Sequence, residues 1–522
     1  MNHGARICAP VVLGVLFAVS GPGHARAADC AQLAGLHLPN TTITVAESVG
    51  AGAFKPPAGA GGFGVAPGLY QKLPAFCRVA GTIKPTSDSD IRFEVWMPEA
   101  DWNGKFVGVG NGVWAGSISF SEMAAPLQRG YATAATDDGH QGNPLDASFA
   151  AGHPEKLIDF GYRAPHEMTV AAKAVIAAFY AKPASRSLFV SCSTGGRQGL
   201  MEAHRYPNDY DGISSMAPAN PMVKLMVSSL WTGYSTLKDP ASHIPPAKFM
   251  LVNKAVLTAC DAKDGVKDGI IGDPRTCHFD PAVLLCKSGD AADCLTAPQV
   301  TALRAIYAGP KDPRTGKSIF AGFEPGSEAQ LPIQTQGPEP FGVATTFFSD
   351  LVFKNPGWNF KSFDYDKDVT LALDAASEVL DVPPTGLDAY LSSGHKLLLS
   401  HGWADGLIPP ANTVAFYTAL VDHIGKRKAG KATRLFMIPG MGHCSGGPGP
   451  SVVDTLGTLD HWVDSGQAPD RIIASNPPGA VARTRPLCRY PQVARYSGTG
   501  STDQAENFQC RTSENRSKRG GT

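Results

Sequence analysis

Three residues far apart in the 522-residue chain have the side chains for nucleophilic acyl chemistry. Ser193 lies in Ser187-Leu188-Phe189-Val190-Ser191-Cys192-Ser193-Thr194-Gly195-Gly196-Arg197-Gln198-Gly199, Asp405 in Ser400-His401-Gly402-Trp403-Ala404-Asp405-Gly406, and His443 in Pro439-Gly440-Met441-Gly442-His443-Cys444-Ser445-Gly446. A serine hydroxyl is a weak nucleophile until a neighbouring imidazole takes its proton. The imidazole in turn needs a carboxylate to fix its tautomer and balance the charge it acquires. Ser, Asp and His in this chain order suit such a relay, with an acyl carbonyl as the group attacked.

The flanking residues say what must position them. An apolar, β-prone run over 188–190 meets a turn of small residues, and helix formers take over from Arg197, which predicts strand, sharp turn, helix. Such an elbow lifts a serine above a parallel sheet, provided that the residues two before and two after it are minimal. Gly195 and Ser191 meet that need, although Ser191 stands where the G-x-S-x-G spelling has glycine; by itself the stretch also fits a Gly/Ser-rich loop. A buried apolar strand from Lys396 runs out into the loop of Asp405, and a strand over 434–438 leads to His443. Strands are also expected over 91–96, 106–109, 131–137 and 212–217, and helices over 165–180, 413–424 and 455–465. This alternation, with the Ser, Asp, His order, predicts an α/β fold of the α/β-hydrolase type. Between about 220 and 392 the alternation is lost. The expected organisation is a core from 28–219 and 393–511, a large inserted lid domain over 220–392, and a disordered polar tail over 512–522.

At these residues the sequence resembles the tannase/feruloyl esterase family of α/β-hydrolases, which also contains a bacterial mono(hydroxyethyl) terephthalate hydrolase. The match lies in Cys192-Ser193-Thr194-Gly195-Gly196-Arg197-Gln198-Gly199, Gly402-Trp403-Ala404-Asp405 and Gly440-Met441-Gly442-His443-Cys444, and extends from about Cys30 to about Cys510. The resemblance implies a secreted serine carboxylic ester hydrolase with Ser193, Asp405 and His443 as its triad, acting on small aromatic acid esters, feruloyl (hydroxycinnamoyl) or galloyl. A terephthalate monoester hydrolase of the same family is the alternative, with the same chemistry and a different lid pocket. A catalytically inactive secreted binding protein is a third reading, against which the intact triad argues. The resemblance also implies disulfides Cys192–Cys444 and Cys30–Cys77. The first would bring its two Cα atoms to roughly 5.5 Å and hold Ser193 beside His443.

The glycine-rich run Gly108-Val109-Gly110-Asn111-Gly112-Val113-Trp114-Ala115-Gly116 follows an expected strand. It lacks the Gly-Lys-Ser/Thr of a phosphate cradle; a plain glycine turn is the alternative reading. In the α/β-hydrolase reading it supplies one oxyanion N–H, which the resemblance puts at Gly112 with Val113 close behind, the other coming from Thr194. Asp137, Asp138 and His140 end another expected strand and read as loop hydrogen bonders. Aromatic residues over 341–365 divide in unknown proportion between lid core and an acyl pocket, and Ile408 shares the loop of the acid.

Lysine plus arginine equals aspartate plus glutamate, 46 each, so nothing favours nucleic acid or an anionic membrane as a partner. Near the start, Arg6 precedes an apolar run over 9–19, a Gly/Pro break and the small-x-small Ala25-Arg26-Ala27. This predicts an export signal over 1–27 with cleavage near Ala27, a secreted or periplasmic protein, and no membrane span. In an oxidising compartment the ten cysteines after Cys8 can all pair. Spacing favours Cys260 with Cys277, Cys286 with Cys294, and Cys488 with Cys510; no C-x-x-C or His/Cys cluster has zinc spacing.

One further cluster could take a metal. Asp261, Asp264 and Asp268 recur at short spacing around turn glycines, which suits a hard cation or a solvated acidic turn, and is not an EF-hand spelling. The resemblance puts a structural calcium ion, Ca2+, on these three carboxylates and on the carbonyls of Val266 and Ile270, in a loop that Cys260 and Cys277 would close.

Overall fold

The apolar runs assemble into one nine-stranded sheet in the computed structural model, which describes Met1, residues 29–57 and 68–512. In chain order the strands are β1 (Thr41–Val49), β2 (Phe76–Ile83), β3 (Ile91–Pro98), β4 (Lys105–Gly108), β5 (Ala132–Thr136), β6 (Arg186–Cys192), β7 (Gly212–Met216), β8 (Lys396–Gly402) and β9 (Thr433–Ile438). They lie side by side as β1-β2-β3-β5-β4-β6-β7-β8-β9. Pairing is antiparallel from β1 through β3 to β5, and parallel from β5 through β4 to β9. Every residue of β5 and β9 is buried, as expected of strands covered on both faces. Leu397 and Leu399 of β8 pack with Val175 and Leu200 from the helices Ala164–Tyr180 and Thr194–Arg205 on one face. Leu398, between them, packs with Leu459 and Trp462 of the helix Thr455–Ser465 on the other.

β7 and β8 are neighbours in space but not in sequence. The chain between Met216 and Lys396 is built from helices, among them Met222–Leu237, Pro246–Cys260, Ala297–Ala308 and Asp368–Leu380, and adds no strand to the sheet among the described residues. It has an apolar core of its own around Phe249, Val252 and Leu303, and its residues Leu230, Phe347 and Phe348 share another with Trp114, Phe160 and Ile408. Within 341–365, Phe347, Phe348, Phe360 and Phe363 are buried in the second of these, while Phe341, Phe353, Trp358 and Tyr365 are half-buried against it.

All five disulfides form as expected: Cys30–Cys77, Cys192–Cys444, Cys260–Cys277, Cys286–Cys294 and Cys488–Cys510. One boundary needs correction. Thr512, assigned above to a disordered tail, is the last residue of the strand Phe508–Thr512 and pairs with Gln492. Cys510 anchors that strand through its disulfide to Cys488, so backbone pairing orders a segment whose polar composition suggested otherwise. The expected signal, its cleavage site and residues 513–522 lie outside the described residues.

Candidate active site

β6 delivers Ser193 into a turn with φ 63° and ψ −127°, a region that costs a non-glycine residue on the order of 1–3 kcal/mol. The turn is pinned through its own peptide groups: Ser193 N–H donates to the Met216 carbonyl (3.0 Å), and the Ser193 carbonyl accepts from Ala219 N–H (3.0 Å). The helix begins at Thr194, three residues earlier than the sequence suggests, so Gly195 and Gly196 are helical. Their smallness serves close approach. A Cβ on Gly195 would lie 2.0 Å from Ser191 Oγ and 3.0 Å from the Asn111 carbonyl oxygen. The residue after the nucleophile turn must therefore be glycine, whereas the one before it accommodates the hydroxymethyl of Ser191. Gly195→Ala is expected to destabilise by about 1–3 kcal/mol through overpacking. Adding Ser191→Gly should recover part of that loss, as read by thermal unfolding.

The three candidate residues meet. His443 Nε2 lies 3.0 Å from Ser193 Oγ, and His443 Nδ1 lies 2.7 Å from Asp405 Oδ2. Asp405, in the loop after β8, is fully buried, and its Oδ1 accepts from the N–H groups of Leu407 (2.8 Å) and Ile408 (2.9 Å). Burial alone would raise its pKa. The charge of His443 and hydrogen bonds from His401 and His443 outweigh burial and hold the carboxyl well below the usual carboxylate range. The group is thus ionised at neutral pH. Its contribution to stability is present above the ordinary carboxylate pKa and is lost only as pH falls through the depressed one.

Ser193 and His443 are also tied covalently. The Cys192–Cys444 bridge, with Cα atoms 5.9 Å apart, joins the residue before the serine to the residue after the histidine. A second tie was not visible in the sequence. Gln330, from the inserted segment, accepts with its Oε1 from His443 N–H (3.0 Å) and from Gly406 N–H (3.2 Å). Gln334 Nε2 donates to the Gly406 carbonyl (2.6 Å). An isolated glutamine between short helices carries no spacing signal. His401 was missed too, although a histidine inside the apolar strand β8 was a signal available in the sequence.

The glycine-rich loop after β4 is clamped to the start of the helix Thr194–Arg205. Thr194 Oγ1 donates to the Val113 carbonyl (2.8 Å), Gly195 N–H to the Asn111 carbonyl (2.7 Å), and Asn111 N–H to Gln198 Oε1 (3.0 Å). This sets Gly112 and Val113 beside Thr194. As the first helical residue, Thr194 has no acceptor for its N–H within the helix. Val113 adopts φ 49°, rare for a β-branched residue, so the loop holds local strain beside the serine. Trp114 Nε1 donates to the Val343 carbonyl (3.0 Å), which ties this loop to the inserted segment.

Asp137 and Asp138 act as loop hydrogen bonders. Asp137 accepts from Arg92 N–H (2.9 Å) and Gly139 N–H (3.0 Å), and Asp138 from Gln198 Nε2 (2.6 Å). His140 instead stacks on Phe149, with ring centroids 3.5 Å apart, and burial pushes its pKa down to about 4.

In the acidic turn, Asp261 accepts from the N–H groups of Asp268 (3.1 Å) and Gly269 (2.9 Å). Burial, with the charges of Asp268 and Asp261 adding to it, pushes Asp264 up to about 6. Asp264, Val266, Asp268 and Ile270 line one small cavity together with Arg485. Arg485 pairs with Asp268, and Arg483 lies 3.6 Å from the same carboxylate.

The model of the tannase and feruloyl esterase family matches residues 77–511. The chain is 39% identical to an esterase of Xanthomonas campestris, over 92% of this chain and 91% of that one. It is 33% identical to the mono(2-hydroxyethyl) terephthalate hydrolase of Piscinibacter sakaiensis, over 84% of this chain and 85% of that enzyme. Among solved structures, feruloyl esterase B from Aspergillus oryzae superposes with a TM-score of 0.85 at 27% identity, covering 92% of this chain and 99% of that one. With a serine in a sharp strand-to-helix turn, a buried acid and a histidine in hydrogen-bonded series, the chain belongs to the tannase and feruloyl esterase family of carboxylic ester hydrolases.

Proposed function

We propose that the protein hydrolyses esters of aromatic acids through an acyl-enzyme on Ser193. The observation that carries this is the unbroken series Ser193 Oγ, His443, Asp405, at 3.0 and 2.7 Å. His443 Nε2 takes the hydroxyl proton as Oγ attacks the ester carbonyl, and Asp405 stabilises the imidazolium that forms. The N–H groups of Thr194 and Gly112 hold the oxyanion, each worth on the order of 3 kcal/mol. Collapse of the tetrahedral adduct expels the alcohol, which takes the proton from His443. Water, deprotonated by the same histidine, then attacks the acyl-enzyme and releases the acid and Ser193.

Feruloyl (hydroxycinnamoyl) and galloyl esters are the substrates this reading favours, in keeping with the family description and with the feruloyl esterase B fold. Terephthalate monoesters are a second reading, favoured by 33% identity to the Piscinibacter enzyme. The inserted segment serves as the lid that shapes the acyl pocket. A hydrolysis panel of methyl ferulate, methyl gallate and mono(2-hydroxyethyl) terephthalate decides between them. A preference for either of the first two that disappears in Ser193→Ala supports the proposal; a preference for the third moves it to the second reading. Silence on all three from folded protein overturns the aromatic assignment.

Calcium and export complete the proposal. Asp261, Asp264 and Asp268, with the carbonyls of Val266 and Ile270, offer oxygen ligands only, the donor chemistry of a calcium ion. The raised pKa of Asp264 reflects burial first and the neighbouring charges of Asp268 and Asp261 second, and a cation would relieve the second. Arg485 competes for Asp268 and limits that relief. Calcium would brace the loop and take no part in the reaction. Chelation is expected to lower the thermal midpoint by several degrees and calcium alone to restore it; metal analysis of protein purified without chelator should find one calcium per chain. Export to an oxidising compartment is supported by five disulfides.

A further inference from the structure

Asp405 is touched by two imidazoles, and only one of them belongs to the relay. His401, in β8 and fully buried, places Nε2 3.0 Å from Asp405 Oδ2 and 3.1 Å from the Ile408 carbonyl oxygen. Both are acceptors, so the hydrogen of that ring edge is fixed on Nε2. Its Nδ1 lies 2.8 Å from Oγ1 of Thr413, a fully buried residue of the helix Pro410–Ile424. The ring is therefore held at both edges by β8, the acid loop and a core helix.

From this geometry we infer that His401 is a positioning residue for the catalytic acid. The inference rests on the reading of Ser193, His443 and Asp405 as the relay. Oδ1 of Asp405 is held by the N–H groups of Leu407 and Ile408, while Oδ2 is shared between His443 Nδ1 and His401 Nε2. The carboxylate cannot rotate without breaking a bond to one partner or the other. His401 also grips the carbonyl of Ile408, whose N–H is itself a ligand of Oδ1, so one ring secures both oxygens.

The second imidazole sets basicity as well as orientation. A hydrogen bond to the ionised form stabilises it, so His401 makes Asp405 a weaker base. The charged and titratable groups that bear on Asp405 are His443 and His401. Without the His401 N–H, Asp405 would attract the proton of the His443 imidazolium more strongly. His443 would then lose its proton at higher pH, and the acid limb of activity would move upward.

The test compares the full-length wild type with His401→Phe, His401→Gln, Thr413→Val and Ser193→Ala, with p-nitrophenyl acetate as the probe ester. His401→Phe should lower kcat about tenfold, the scale of one hydrogen bond to a charged group. KM should stay within about twofold, because the ring does not face substrate in this reading. The acid limb of kcat/KM should rise by about half a pH unit. His401→Gln, which returns an N–H donor, should bring the limb back toward wild type and recover part of kcat. A folded His401→Phe with wild-type kcat and limb overturns the inference, as does a folded His401→Gln indistinguishable from His401→Phe. Should His401→Phe fail to fold, Thr413→Val, which frees the far edge of the ring, must lower kcat at constant KM, and an unchanged kcat overturns the inference. Activity surviving in Ser193→Ala would point to failure of the relay itself, a separate outcome.

Discussion

Ser193→Ala is expected to lower kcat by about 10⁴-fold or more while leaving the protein folded. The Oγ it removes is the atom 3.0 Å from His443 Nε2, and water in its place has neither the fixed position nor the covalent route. Residual activity above the uncatalysed rate would come from the oxyanion donors and substrate binding. Alanine inherits the same φ of 63°, so the strain of the turn is unchanged and the thermal midpoint should stay close to wild type. Steady-state kinetics on the best ester of the panel, beside near-ultraviolet circular dichroism, reads both quantities. An active, folded Ser193→Ala protein would remove Ser193 as nucleophile.

Cys192→Ala combined with Cys444→Ala should strike stability and catalysis together. The bridge closes a separation of 252 residues, and a cross-link across so long a loop contributes about 5.5 kcal/mol in the chain-entropy account. It also fixes the neighbours of Ser193 and His443. Releasing it frees a distance for which an error of about 1 Å costs about 100-fold in rate. The companion variant, Cys286→Ala with Cys294→Ala, opens a separation of only 8 residues in the inserted segment. It should lower the thermal midpoint less and leave kcat unchanged. Equal kinetic losses in the two variants would show that the 192–444 bridge has no special hold on the relay.

The sequence carried the strands that aim the relay because each is an apolar run bounded by small or breaker residues, and parallel strands are buried on both faces. β7 was expected over 212–217 and spans Gly212–Met216; the last helix, Thr455–Ser465, has the expected bounds. The convergence of Ser193, Asp405 and His443 was legible because elbow, acid loop and histidine loop each leave a local residue pattern. The residues that hold it were less so. Gln330 acts through a side-chain amide placed by tertiary packing of short helices, and no periodicity marks it. His401 lay inside a stretch already singled out, yet its role depends on Thr413 and the Ile408 carbonyl, whose positions only the folded loop defines. Thr512 was misplaced because composition reports solubility, whereas order there comes from pairing with Gln492 and from the nearby Cys510 anchor.

Gln330 bears on how this architecture can be remodelled. One amide oxygen from the inserted segment holds the backbone of the acid loop and of the histidine loop at once. Segment and core are therefore not interchangeable modules. A chimera that grafts another relative's segment onto this sheet, to import its substrate range, must import an acceptor at the place of Gln330, or turnover falls whatever pocket it carries.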